Sequence, residues 1–265
     1  QRQMCIRDSS NGVDGYTIEE AEKENAGTDV ILTLKDDTDD EKYSRYLDQY
    51  QIQTLVKKYS DYIRFPIRMA VTKTKKVASC MSDKPDEVPY VEMETLNSMV
   101  PIWQRKKADV KPEEYNEFYR EKFHDFADPQ RVITVSAEGA VTYKALLFIP
   151  GTTPFDFYTK EYEKGLQLYS SGVLIMEKCA DLLPDYFSFV RGLVDSEDLS
   201  LNISREMLQH DRQLQLIERA LERRIKGELE KLLENDREKY EALWKEFGTQ
   251  LTYGLCMDYG MHLSL

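Results

Sequence analysis

The sequence has few of the residues that build metal sites, disulfides and familiar enzyme motifs. Only four cysteines and three histidines occur among 265 residues. No two cysteines have the Cys-x-x-Cys spacing of a zinc or redox site. The phosphate-binding loop Gly-x-x-x-x-Gly-Lys, the dinucleotide fingerprint Gly-x-Gly-x-x-Gly and the nucleophile elbow Gly-x-Ser-x-Gly are also absent. We therefore expect no metal site, and we expect reduced thiols in a cytoplasmic protein.

Acidic residues outnumber basic ones, and long apolar runs are lacking. Acidic residues number 48 and basic residues 36, which gives a net charge of −12. Because nucleic acids and anionic lipid surfaces attract basic faces, this balance predicts neither as a partner. No apolar run approaches the roughly 18 residues that a membrane-spanning helix needs. Hydrophobic residues still make up 41% of the chain, which is enough for a sizeable core.

The patterns of the sequence divide the chain into four segments. Residues 1–11 match nothing downstream, and we treat them as foreign to the fold. Residues 12–75 and 94–265 each mix strand and helix patterns, and 76–93 form a linker rich in lysine, aspartate and proline. The mixture predicts an α/β protein, in which the second domain is a layered α-β-α structure with a helical segment.

Periodicity predicts the following elements. In the first domain they are a strand at 29–35, a helix at 43–63 and a strand at 65–72. In the second domain they are a helix beginning at Pro112, a hairpin of strands 132–136 and 141–149, a strand at 166–176 bent at Gly172, a short helix or turn at 182–190, a long helix at 204–233 with a weak point at Gly227, a helix at 237–247 ended by Gly248, and the start of a strand within 249–265. The apolar run 145–149 is typical of a central strand covered on both faces.

A polar stretch from Gly192 to Gln209 is the most informative part of the sequence. It is predicted to be an acidic loop entering a helix that is capped by Asn202 or Ser204. Arg205 then falls in the first turn, where a cation opposes the helix dipole. A guanidinium beside free backbone N–H groups would bind a phosphate. The alternative is an ordinary ion pair with Asp195 or Glu197.

Several long motifs resemble the heat-shock protein 90 family of the HtpG type. They occur in that family's order, from about Gly12 to the end of the sequence. They are GYTIEEAEKENAGTDVILTLKDD at 15–37, VPIW at 100–103, EEYNEFY at 113–119, ALLFIPGTTPFDFY at 145–158, GVLIMEKCADLLPDYFSFVRG at 172–192 and GLVDSEDLSLNISREMLQ at 192–209. The resemblance implies a fragment of an ATP-dependent chaperone, in which 12–75 end the ATP-binding domain and 94–265 are an incomplete middle domain.

Site residues follow from this resemblance position by position. The arginine of the Ser-Arg-Glu motif, here Arg205, would reach the terminal phosphate of ATP, with Asn202 and Gln209 beside it. Thr28 corresponds to a threonine that lines the adenine pocket, although it also reads as a strand-entry residue. ATP and magnesium would be held mainly by the part of the family's N-terminal domain that has no counterpart here. The fragment alone is therefore expected to be inactive as an ATPase.

Client contacts and assembly are further implications of the resemblance. Trp103 corresponds to an exposed tryptophan associated with client protein, and a buried core tryptophan is the alternative. Phe155 and Phe157 lie in a loop that could also touch client, with core packing the safer interpretation for at least one of them. The implied partners are unfolded or partly folded proteins, with a homodimer formed through a missing C-terminal domain.

Two other functions fit the same sequence. One is an acidic scaffold that binds proteins and has no phosphate role. The other is the transducer domain of a related DNA-acting ATPase, against which the net charge of −12 and the Ser-Arg-Glu motif both count, because such domains usually carry a basic surface and a lysine for the phosphate.

Overall fold

The computed structural model describes residues 6–10, 15–20, 22, 26–77, 86–154, 156–199 and 212–257. The chain divides into two compact units, residues 1–47 and 48–265. In the first unit, strand β1 (Ile6–Ser10) pairs antiparallel with strand β2 (Tyr16–Glu20), and a 3-10 helix covers Tyr43–Leu47. The N-terminal residues that we set aside as foreign to the fold thus contribute a strand.

The strand predicted at 29–35 is wrong. These residues have no regular secondary structure, and Val30, Ile31 and Leu32 are about four-fifths exposed, at 78%, 81% and 80%. A strand needs a neighbour to accept and donate its backbone hydrogen bonds. None of the described strands pairs with residues 29–35, so the backbone groups of this stretch have no strand partner despite its alternating sequence.

The second unit begins with helix α1 (Gln49–Tyr59). Asp48 caps it by accepting a hydrogen bond from the backbone N–H of Gln51, which satisfies one of the free donors of the first turn. This cap explains why the single helix predicted at 43–63 is divided into a 3-10 helix and an α-helix. The Gln49 side chain then bonds the backbone of Thr72 through both its oxygen, at 3.0 Å, and its nitrogen, at 3.2 Å.

Strands β3 (Arg68–Val77) and β4 (Asp86–Thr95) form a two-stranded antiparallel hairpin. Residues 86–93 were predicted to lie in a linker, and their assignment as irregular chain is wrong. Lys73 of β3 forms ion pairs with Glu92 and Glu94 of β4, at 3.2 and 3.4 Å. These charged residues therefore form cross-strand pairs within the hairpin. The proposed division of the domains stays a prediction.

A five-stranded sheet forms the centre of the second unit. Its order is β5-β6-β9-β7-β8, and every pairing is antiparallel except the parallel one between β7 and β9. The strands are β5 (Arg131–Ala137), β6 (Tyr143–Ile149), β7 (Leu166–Ser170), β8 (Val173–Cys179) and β9 (Arg191–Ser196). The predicted hairpin of β5 and β6 is confirmed.

Helical layers cover both faces of this sheet. In the interior strand β6, Ala145, Leu147 and Ile149 belong to one core and Leu146 and Phe148 to the other. The first core is closed by helices α3 (Arg212–Asn235) and α4 (Arg237–Met257), and the second by helix α2 (Pro112–Phe123) and a 3-10 helix at Ile102–Gln104. The α/β class with α-β-α layers is thus confirmed, as is the two-faced burial of β6.

The ends of the last helices differ from the prediction. Helix α3 passes through Gly227 without a break, and α4 continues through Gly248 to Met257 instead of ending there. A Cβ at Gly248 would lie 3.0 Å from the Trp244 ring. This glycine serves close packing and not a helix cap, so the strand predicted within 249–265 is wrong at least as far as Met257.

The stretches around Gly172 and Gly192 also differ from the predictions. The strand at 166–176 is two strands, because Ser171 and Gly172 both have positive φ, 50° and 80°, and form a tight turn between β7 and β8. The stretch 182–190 contains the 3-10 helix Asp185–Phe187 and the last residue of another, Ala180–Leu182. The supposed loop after Gly192 begins as strand β9, whose residues from Gly192 to Ser196 are buried.

Candidate functional site

A buried carboxylate, that of Asp195, lies near the end of strand β9. It is 4% exposed and accepts three hydrogen bonds: from Trp103 Nε1 at 3.0 Å, from Gln104 Nε2 at 3.1 Å and from the Gly172 backbone at 3.2 Å. All three donors are neutral, and no described cation forms an ion pair with Asp195. A buried charge needs such donors. The carboxylate therefore ties β9 to the Ile102–Gln104 helix and to the β7–β8 turn.

Trp103 lies in an aromatic cluster, which we define as Tyr62, Trp103, Phe118 and Tyr169. The Trp103 ring meets those of Tyr62, Tyr169 and Phe118 at centroid distances of 4.5, 5.4 and 6.0 Å. The tryptophan is 6% exposed. Of the two interpretations of Trp103, the exposed one is wrong and the buried one is right, because both its ring and its N–H have partners inside the protein.

Lys122 of helix α2 closes this cluster. Its Nζ donates to the Tyr169 hydroxyl at 3.0 Å and lies 5.4 and 5.7 Å from the ring centroids of Tyr62 and Tyr169. Burial lowers the pKa of Lys122 and raises the pKa of both tyrosines. The cluster thus links the turn after α1 to the 3-10 helix, α2 and β7.

A second polar centre surrounds Glu228 of helix α3. Its carboxylate accepts from Arg131 Nε and Nη2, at 3.1 and 2.5 Å, and pairs with Lys231 at 3.0 Å and Arg224 at 3.3 Å. Its side chain is 7% exposed. Burial raises the pKa of this carboxyl, but hydrogen bonds from Arg131 and Lys231 outweigh burial and hold the pKa below its usual value.

These side chains line a cavity of about 330 Å³ between β5 and α3. Its lining also includes Lys107, from a 3-10 helix at Lys107–Asp109, and three strand residues, Val132, Ile133 and Thr134. We call it the basic cavity. Four cations and one carboxylate therefore face the same small volume.

Sequence reasoning missed this centre, although part of the signal was present. Arg224 and Lys231 lie four residues before and three residues after Glu228, the spacing at which helix side chains meet. Arg131, 97 residues away in sequence, has no local signal of its contact. Asp195 was missed as a structural anchor because a charged residue was taken as the mark of a loop.

Of the other predicted site residues, one is exposed, one is buried and four lie outside the described residues. Thr28 is exposed, within the irregular stretch of the first unit. Asn202, Arg205 and Gln209 lie outside the described residues, and so does Phe155. Phe157 is 6% exposed and packs in the core against Phe247 at 6.4 Å.

The chain is anchored on both sides of residues 200–211. Before them, Leu199 is 3% exposed and its carbonyl accepts from the Ser170 hydroxyl at 2.6 Å. After them, α3 starts at Arg212 and buries Leu214 and Ile217. Over the described parts of the chain, no cluster of metal-binding side chains and no helix able to cross a membrane is found.

A comparison with protein families matches residues 82–265 to the family described as Hsp90 protein. The match covers more than half of the chain. This chain belongs to the Hsp90 family.

Individual Hsp90-family relatives agree with this assignment. The chain is 57% identical over 252 residues to Chaperone protein HtpG of Clostridium botulinum (strain Loch Maree / Type A3), and 57% identical over 251 residues to that of Alkaliphilus oremlandii (strain OhILAs). It is 55% identical over 253 residues to that of Clostridium perfringens (strain ATCC 13124). These alignments cover 95–96% of this chain but 40% of each relative. The chain thus spans two fifths of the length of these relatives.

Proposed function

We propose that this chain is a segment of an ATP-dependent molecular chaperone that assists the folding of client proteins. The observation that carries the proposal is the identity of 55–57%, over almost the whole chain, to relatives named Chaperone protein HtpG. The proposal includes the implied assembly as a cytoplasmic homodimer. It also includes ATP and magnesium, held mainly by family segments outside this chain.

Arg205 would act on the terminal phosphate of ATP. Charge builds up on the equatorial oxygens of a phosphoryl group during transfer, and a fixed guanidinium stabilises that charge. Asn202 and Gln209 would orient Arg205 or bind the same phosphate. The anchoring of Leu199 on one side, and of Leu214 and Ile217 on the other, supports this role, because a catalytic side chain needs firmly held flanking elements. Thr28 would line the adenine pocket.

Client binding would involve Phe155 and, in a second conformation, Trp103. Because the Trp103 ring is packed in the aromatic cluster and its N–H is bonded to Asp195, it can touch a client only after that cluster opens. Such opening would also release the contact between Tyr62 and Trp103, and therefore the turn that follows α1. Binding of a client at Trp103 would then change the conformation of the chain around Tyr62.

The decisive experiment replaces the matching segment of the Clostridium botulinum relative with this chain and measures steady-state ATP hydrolysis. Arg205→Ala should lower turnover at least about tenfold, or about 1.4 kcal/mol of transition-state stabilisation, while ATP still binds. Arg212→Ala is the matched control, since Arg212 is an exposed arginine at the start of α3. Unchanged turnover in Arg205→Ala would overturn the phosphate role and favour the acidic scaffold.

A further inference from the structure

We propose that the basic cavity binds a compact phosphate compound that carries at least two negative charges. The site is separate from Arg205 and does not depend on the proposed function. The cavity volume of about 330 Å³ is at the lower end of small-molecule sites, which span roughly 300–1,000 Å³. That volume suits a diphosphate or a phosphate ester and excludes a folded partner.

The charges around the cavity do not balance. Arg131, Arg224 and Lys231 share the single carboxylate of Glu228, and Lys107 adds a fourth cation to the lining. A further carboxylate, Asp236, acts electrostatically on Arg131, but it is bonded by a fifth cation, Lys239, at 2.6 Å. The lining therefore has four cations and one carboxylate, and the Asp236–Lys239 pair beside Arg131 leaves this excess of positive charge unchanged, in a chain of net charge −12.

The cations are held in place by secondary structure. Glu228 is buried on α3, and its carboxylate accepts hydrogen bonds from two side-chain nitrogens of Arg131, the first residue of β5. The other two partners of Glu228 project from the same helix, and their side chains are 43% and 53% exposed. Arginine forks that are pre-oriented in this way suit the geometry of phosphate oxygens.

A purely structural role for the cluster makes a different prediction. If the cations served only to neutralise Glu228 and join α3 to β5, one partner would suffice, and no anion would bind. Exposed ion pairs add little to stability. The excess of cations over carboxylates is the feature that a structural role leaves without an explanation and that a phosphate ligand explains.

The test is calorimetric titration of the full chain with pyrophosphate at low ionic strength. We expect one site, and Arg224→Gln combined with Lys231→Gln should weaken its affinity at least about tenfold. Arg120→Gln combined with Lys164→Gln makes the same charge change in two exposed pairs, with Asp128 and Asp185. This control should shift the affinity less than about twofold, because neither side chain lines the cavity and exposed charges interact only weakly through water.

The outcomes separate clearly. No heat at millimolar pyrophosphate, or equal loss in both double variants, would overturn the site. If the Arg224/Lys231 double variant melts early, Lys107→Gln provides a second test, because Lys107 lies on a different element of the lining. That variant should weaken pyrophosphate binding and leave the melting temperature unchanged, and unchanged binding would overturn the proposal.

Inorganic phosphate should bind more weakly than pyrophosphate, and tighter binding of phosphate would contradict a site for two charged groups.

Discussion

The indole nitrogen of Trp103 donates a hydrogen bond to Asp195 across 92 residues of sequence, at 3.0 Å. The bond joins the 3-10 helix on one face of the sheet to β9, near the residues that lead into the segment containing Arg205. Asp195 also fixes the β7–β8 turn through the Gly172 backbone. One buried carboxylate therefore holds three elements together in the part of the fold that would present Arg205.

Loss of the Trp103 hydrogen bond should destabilise the fold. Trp103→Phe keeps most of the ring packing but leaves Asp195 with one donor fewer, and an under-satisfied buried group costs about 1–3 kcal/mol. Urea unfolding followed by circular dichroism measures this loss. Trp244→Phe is the control, because Trp244 is 43% exposed and its replacement should change stability by less than about 0.5 kcal/mol. Equal losses in the two variants would show that the Asp195 bond contributes nothing.

Two glycines should respond in opposite ways to alanine. Gly192 has φ of 151°, and a Cβ there would collide with the Leu146 carbonyl oxygen and lie 2.8 Å from Leu147 Cα. Gly192→Ala should therefore cost about 2–3 kcal/mol. Gly227 lies within α3 with nothing within 4 Å of an added Cβ, so Gly227→Ala should stabilise the protein by about 0.5–1 kcal/mol. Urea unfolding of the pair tests both signs, and destabilisation by Gly227→Ala would contradict the unbroken helix.

Two cysteines should differ sharply in reactivity. Cys179 is 1% exposed, and burial raises the pKa of its thiol to about 11, so at pH 8 only about one molecule in a thousand carries the reactive thiolate there. Cys256 is exposed on α4. Peptide mapping after brief iodoacetamide treatment should find Cys256 modified and Cys179 intact. Urea should make both react, and early labelling of Cys179 would mean that this core opens readily.

The sequence predicted those elements whose signal is local. The continuous apolar run of β6 indicated burial on both faces, and the helical period of α3 indicated one long helix, since each pattern follows directly from the backbone geometry of its element. Glycine was less informative because it has several uses. Gly248 permits close packing of Trp244 and Gly172 forms a turn, whereas the pattern suggested a cap and a bend.

Charged residues misled the prediction for a related reason. Asp195 lies in a buried strand, and Glu92 and Glu94 lie in a paired one, yet acidic residues are typical of loops. Their partners, Trp103 and Lys73, are distant in sequence, and only the folded chain brings each pair together. The same holds for Arg131 and Glu228, so the basic cavity was not foreseen, although the Arg224–Glu228–Lys231 spacing on α3 was visible.

The pH dependence of stability should reveal the charge on Glu228. Because cationic partners hold its folded pKa below the usual value, the ionised form stabilises the fold. This contribution is complete above the unfolded glutamate pKa of about 4.3 and is lost as the pH falls through the lower folded value. Glu228→Gln removes it, so the gap in unfolding free energy between wild type and variant should narrow across that acidic window.

Urea unfolding at a series of pH values, from neutral downwards, measures this gap. Carboxyls that share no partner with Glu228, such as Glu114, also have a lowered pKa, but they are common to both proteins and cancel in the difference. Glu230→Gln is the control on the same helix, since Glu230 is exposed and belongs to no ion pair found among the described residues. Its stability should follow the wild-type curve. A gap for Glu228→Gln that stays constant as the pH falls would mean that the cations around this carboxylate do not stabilise its charge, and the excess of positive charge in the basic cavity would then need another origin.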